Sequence, residues 1–241
     1  MNYATELTAY VLEQIKLFEP LKEIIAEDGV YKILRDPKTG DALGDVRYFK
    51  GTELLDSVMV VHITKESMQL DAYMVAAFTR SSSLYPHLVF DCEISPNDCA
   101  FHIDLLHKKD LSTDADYIVD VLEPLSPAFD EVQAKAHFVP SAATKLMKTL
   151  LNAWMVSYHT HPDNLPESMP VIETYCKHWL SLKNKTAGIR FDGEDRAEYA
   201  AYDKAHRRAL FNPQVDILWD MLVHMVGLES RDMLLALLQG E

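Results

Sequence analysis

Between Leu84 and His107 the chain reads LYPHLVFDCEISPNDCAFHIDLLH, two short apolar runs around Ser95-Pro96-Asn97-Asp98. Each run fits a strand, the four residues between them fit a turn, and the whole fits a β-hairpin inside a larger sheet. A strand sends successive side chains to opposite faces. Leu88, Phe90, Cys92 and Ile94 therefore share one face, and Val89, Asp91 and Glu93 share the other. On the second strand Phe101, Ile103 and Leu105 lie together, with His102 and Asp104 opposite. One face of the hairpin is apolar; the other carries three carboxylates and a histidine. Such a polar face either meets water, as in many antiparallel sheets, or lines a pocket for a ligand that exchanges protons.

The flanking sequence supplies the rest of a sheet and its cover. Residues Thr5 to Ala26 have apolar positions at helical spacing, with Pro20 as a break and Asp28-Gly29 as the end. Asp36 to Gly40 is a turn. Strands are expected over 44–49, 57–64 and 70–78, the last two joined by the hairpin-length Lys65 to Gln69. After Asp110 the pattern turns helical. Parts of 113–134, then 142–155, 169–182, 196–210, 216–228 and 230–238 are expected as helices, with Ser230 as an N-cap. Strands first and helices afterwards define an α+β chain. The sheet is apolar enough to need helices on both faces. No linker, charge run or repeat divides 1–241, so one domain is expected.

Composition narrows the function. The 241 residues carry a formal net charge of -14, a poor match to nucleic acid or an anionic membrane surface. Cys92, Cys99 and Cys176 are odd in number and form no CxxC, which suggests free thiols in a reducing compartment. The first residues lack the basic and apolar regions of a signal peptide. No stretch approaches the roughly 20 apolar residues of a membrane span. The expectation is a cytoplasmic, soluble protein.

Two further constellations carry titratable groups. Asp216, Asp220 and His224 recur at i, i+4 and i+8 on an otherwise apolar segment, a polar stripe that suits solvent or a site. Tyr158-His159-Thr160-His161-Pro162-Asp163 contains an HxH pair. It departs from metallo-β-lactamase-like sites because Asn164 stands where a histidine is needed. It departs from zinc isopeptidases because the required serine and aspartate are out of place. No third zinc ligand can be nominated beside His159 and His161. There is no P-loop, GxGxxG or GxSxG.

Several spacings in order resemble those of the ferredoxin-dependent bilin reductases, a family related to red chlorophyll catabolite reductase. Leu70-Asp71 begins a strand as the family's does. Pro86 is followed five residues on by Asp91, and Asp104-Leu105 lies thirteen beyond that. Asp216 stands eleven residues before Gly227, and a short closing segment, 228–238, follows. The likeness runs from about Ser57 to the C-terminus.

The resemblance implies a three-layer α/β/α sandwich around an antiparallel sheet. It implies reduction of a linear tetrapyrrole such as biliverdin, as in phycobilin biosynthesis. No cofactor or metal is tightly bound in that family; reduced ferredoxin supplies electrons singly, and protein groups protonate bilin radicals. By position Asp91 becomes the central acid and Asp216 a second donor, with His62 assisting. Met74, His102, His161 and Trp219 become substrate-binding. Met74 stands where the family has histidine or asparagine, and His161 about where it often has a propionate-binding arginine. Lys145, Lys148, Lys177, Lys183, Lys185, Arg207 and Arg208 are the candidates for a ferredoxin-docking patch. The alternatives are a non-catalytic tetrapyrrole-binding protein, a chlorophyll-catabolite reductase-like enzyme, or a zinc hydrolase built on His159 and His161.

Overall fold

Helix α1 (Tyr3–Phe18) opens the chain, capped by Asn2, whose side chain accepts from the Thr5 backbone N–H at 3.0 Å. The computed structural model describes residues 2–185 and 196–241. The helix stops at Phe18 rather than running to Ala26, because Pro20 has no N–H to continue the ladder. Glu19 then turns inward. Its buried carboxylate accepts from the backbone N–H groups of Thr52, Glu53, Leu54 and Leu55 at 2.7 to 3.2 Å. This anchors the next turn of the sheet and releases Leu21–Ile24 as an edge strand, β1.

Eight more strands follow: β2 (Lys32–Arg35), β3 (Ala42–Gly51), β4 (Leu55–Lys65), β5 (Leu70–Thr79), β6 (His87–Ile94), β7 (Cys99–Leu106), β8 (Val139–Pro140) and β9 (Val156–Thr160). All pair antiparallel in the order β1-β3-β4-β5-β6-β7-β9-β8, with β2 also on β3. The hairpin turn closes with the Ser95 N–H donating to the Asp98 carbonyl at 2.8 Å. The helices after α1 are α2 (Ala115–Tyr117), α3 (Ser126–Gln133), α4 (Lys145–Leu150), α5 (Met169–Lys185), α6 (Arg196–Leu210), α7 (Leu218–Val226) and α8 (Leu228–Gln239).

Each sheet face has its own apolar core, giving the α/β/α sandwich expected from the sequence. On one face Val60, Val75, Leu88, Phe90, Phe101 and Ile103 pack against Leu7, Val11 and Ile15 of α1 and Tyr175 and Trp179 of α5. On the other Val46, Met59, Val61, Ala76, Phe78 and Val89 meet Leu210, Phe211, Trp219, Val226, Leu234 and Leu238 of α6 to α8. A buried polar cluster fixes α6 to the sheet. His87 Nδ1 accepts from the Thr79 N–H at 2.9 Å, so Nε2 donates to Asp203 at 2.6 Å, and Lys108 Nζ reaches the other Asp203 oxygen at 3.0 Å.

Four expectations change. Residues 142–155 shorten to α4 and leave Val156–Thr160 as strand β9, so the HxH pair begins inside the sheet, with His159 between β7 and β8. The helix expected from Asp216 begins at Leu218, leaving Asp216 in the preceding turn with its N–H on the Asn212 carbonyl. Ser230 lies within α8, whose N-cap is Gly227 at φ +82°, a conformation open to glycine. The tail of the first predicted helix is strand β1.

Candidate functional site

Strand register sets one row of side chains across the face that α6 to α8 cover. Val46, Val61, Met74, Asp91, His102 and Ser157 stand opposite one another on β3, β4, β5, β6, β7 and β9. The polar hairpin face is covered in part: Asp104 is buried, Asp91 and His102 are half-buried, and Glu93 is exposed. Asp91 stands at its centre, between Met74 and His102. His102 Nδ1 and Asp91 Oδ2 are 2.9 Å apart, with the aspartate side chain 37% and the histidine 21% exposed.

Asp216, in the turn before α7, interacts electrostatically with Asp91 and His102. Burial, and next the negative charge of Asp91, raise its pKa above the ordinary carboxylate range, against the bond from the Leu218 N–H to Asp216 Oδ1 at 2.9 Å. His102 is also shifted. Burial disfavours its charge, but Asp91, Asp104 and Asp216 together outweigh burial and raise its pKa. The site therefore joins two sheet groups and one helix-side carboxyl. Ile217, Leu218 and Met221, which follow Asp216 in the chain, are exposed apolar residues. Trp219 is buried in the apolar core of the same face, and its Nε1 has no hydrogen-bond partner among the described residues.

Asp104, placed on this face by the hairpin pattern, is joined here by Asn152, which the sequence reading passed over. Asp104, two residues from His102, is fully enclosed, and Asn152 Nδ2 donates to its Oδ1 at 2.7 Å. Burial raises the Asp104 pKa, with His206 among the nearby groups that lower it. Asp104 was visible on the polar hairpin face, but Asn152 and His206 lie far along the chain and carry no local signal.

Other expected site residues stand elsewhere. His62 is corrected: it pairs with Tyr73, one residue along from Met74, so its side chain takes the opposite face of the sheet. There it stacks on Tyr73 at 4.3 Å between ring centroids and meets Asp71 Oδ1 at 2.7 Å, beneath α1. His161 is exposed past the end of β9, where Nδ1 accepts from the Asp163 N–H at 3.3 Å. His159 is on the Asp91 face of β9 but is paired with Asp98 at 3.0 Å. The two histidines of the HxH pair thus serve different carboxylates. Among the described residues no three His, Cys, Asp or Glu side chains are grouped to hold a metal.

The cations proposed as one docking patch do not share a surface. Lys177 and Lys183 are on α5, under one face of the sheet; Lys145, Lys148 and Arg208 are on α4 and α6, over the other. Arg207 is buried, donating to the Leu238 and Leu237 carbonyls at 2.7 and 3.1 Å. The Lys185 side chain lies outside the described residues. A cavity of about 430 Å³ beside Asp56, Arg80, Lys204 and Arg207 shares no lining residue with the Asp91 site. Among the described residues, no helix is long and apolar enough to cross a membrane.

No protein-family model matches the sequence, and no characterised protein matches it by sequence. In three dimensions the chain is similar to tomato phytochromobilin synthase, whose crystal structure is a complex with biliverdin. The TM-score is 0.77 at 14% identity, over 98% of this chain and 82% of that one. The likeness establishes a shared fold.

Proposed function

We propose that this protein reduces a linear tetrapyrrole of the biliverdin type, taking electrons one at a time from reduced ferredoxin and protons from its own carboxyl groups. The observation that carries the reading is the Asp91–His102 pair on the sheet, with Asp216, before α7, close enough to interact electrostatically with both. The fold it shares with a biliverdin-bound protein supports the same reading.

The chemistry suits these residues. A bilin presents a cluster of pyrrole N–H groups that must find acceptors when water is removed. A carboxylate at the centre of a sheet face can accept from several of them. After one electron is added the bilin becomes more basic, and an acid within reach must protonate it. Asp216 is suited to that donation because burial and the charge of Asp91 hold its proton to higher pH than an ordinary carboxyl. The exposed Ile217, Leu218 and Met221 offer an apolar rim to a flat, largely apolar ligand. Electrons enter from outside, so the chain's own work is binding, orientation and proton supply.

A second reading, a tetrapyrrole-binding protein without reductase activity, is favoured by Met74. It faces Asp91 across the β5–β6 pair and cannot pass a proton. One experiment separates the two. Purified protein is titrated with biliverdin and then given reduced ferredoxin. The enzyme gives a saturable visible band that moves or bleaches on reduction, and Asp91→Asn lowers that turnover by about 100-fold or more, the scale of a lost general acid. A band that saturates but does not respond to ferredoxin selects the binding protein. No band removes both.

A further inference from the structure

Of the polar groups in the Asp91 row, His102 has the most unusual surroundings. Its Nδ1 is 2.9 Å from Asp91 Oδ2. Its Nε2 is buried and has no hydrogen-bond partner among the described residues, and the same holds for Oδ2 of Asp104 on the same strand face. Buried polar atoms are normally paired, so two orphans on neighbouring side chains of one face mark a place where a polar exchange is held open. The charged groups facing His102 come from three elements: Asp91 on β6, Asp104 on its own strand β7, and Asp216 before α7. Its other neighbours in the row, Ser157 on β9 and Met74 beyond Asp91, carry no charge. His206 on α6 acts on Asp104 rather than directly on His102.

We infer that His102 is a positioning residue that orients Asp91 and reloads it with a proton between donations. The inference deepens the proposed bilin reduction and rests on that reading for its role in turnover. The step is a proton transfer with no change in electron count. The Nδ1–H bond of a His102 imidazolium breaks as an O–H bond forms on Asp91 Oδ2. The imidazole is left neutral with its remaining proton on Nε2. With Nε2 buried, the missing proton returns to Nδ1 from solvent along the Asp91 carboxyl, whose side chain is 37% exposed. Three flanking carboxyl groups favour the charged ring despite its burial, which keeps the store filled at neutral pH. Met74, on the other flank of Asp91, can do none of this. The supply of protons to Asp91 is one-sided, from β7.

Two measurements test it, one of them without ligand. In ring-¹⁵N spectra of the ligand-free protein, assigned by the loss of signals in His102→Gln, His102 should stay protonated above the ordinary histidine range. Asp91→Asn should bring it down. A His102 that titrates in or below the ordinary range, or that ignores Asp91→Asn, overturns the inference whether or not a bilin binds. The second measurement is the pH profile of ferredoxin-driven biliverdin turnover. His102→Gln keeps a hydrogen bond to Asp91 but stores no proton. It should move the alkaline limb, which falls about tenfold per pH unit for a single ionisation, to lower pH. A superimposable profile overturns the inference while the bilin reading stands. Failure of wild-type protein to bind biliverdin removes that reading instead, and the ¹⁵N titration then decides the proton store alone.

Discussion

A single buried carboxylate shows how far one residue can organise this chain. Glu19 follows α1, precedes Pro20, and gathers four backbone N–H groups from the β3–β4 turn onto its two oxygens. Glutamine keeps one acceptor oxygen and turns an amide against the remaining donors. Glu19→Gln should cost about 2 to 3 kcal/mol, as expected for charge-assisted bonds lost with donors left buried, read as a lower urea midpoint at unchanged slope. Nothing in the local sequence announced this, since a glutamate after a helix most often points to solvent. Asp91 was more legible. Alternation along 88–105 put it on the polar face with His102 and Asp104, and the register sets Asp91 opposite His102. His62 was misread for a related reason. Alternation orders the residues of one strand, but the phase between two strands depends on their register, and that placed His62 beside Tyr73 rather than Met74.

Among the elements, the central strands were the most readable, because fully apolar runs with short turns leave few alternatives. The edges were not. Strands β1, β2, β8 and β9 have two to five residues, too few to show a period, and β1 and β9 border apolar stretches that also fit a helix. Close approach between strands is equally invisible in sequence. A methyl group on Gly44 would lie 1.9 Å from the carbonyl oxygen of His62 in β4, a backbone atom that cannot move aside without breaking the β3–β4 ladder. Gly44→Ala should therefore destabilise the protein by about 1 to 3 kcal/mol, the usual range for overpacking, and slow amide exchange along β3 should be lost first. The start of α7 matters for function as well as fold. Because the helix begins at Leu218, Asp216 sits in the preceding turn, where it interacts electrostatically with Asp91, instead of continuing the helical stripe of Asp220 and His224.

For the whole molecule, two cores on one sheet explain why an acidic chain still buries titratable groups on its interior face. Burial holds the His87 and His107 pKa values down to about 3, so both stay neutral in the fold at pH values where the unfolded chain takes up protons. Stability from these two groups is present above about pH 6.5, the unfolded value, and is lost as pH falls from there toward 3, at up to about 1.4 kcal/mol per pH unit for each. His102 acts in the opposite sense: its raised pKa contributes stability below about pH 6.5 that is lost as pH rises through its folded value. Below about pH 6.5 His102 is protonated in both states and adds no slope, so His87 and His107 predict a urea midpoint that declines between about pH 6 and about 4, and a flat profile there would contradict their neutral burial. The α/β/α layering was legible from strands followed by amphipathic helices; the joining of Asp91 and Asp216 across 125 residues depended on a resemblance, because no local pattern connects them. The crystal structure of the protein soaked with biliverdin tests that joining most directly. The bilin should lie between the sheet and α7, with pyrrole nitrogens within hydrogen-bond reach of the Asp91 carboxylate and Asp216 on its opposite side. A bilin bound elsewhere, with Asp91 and Asp216 untouched, would contradict it.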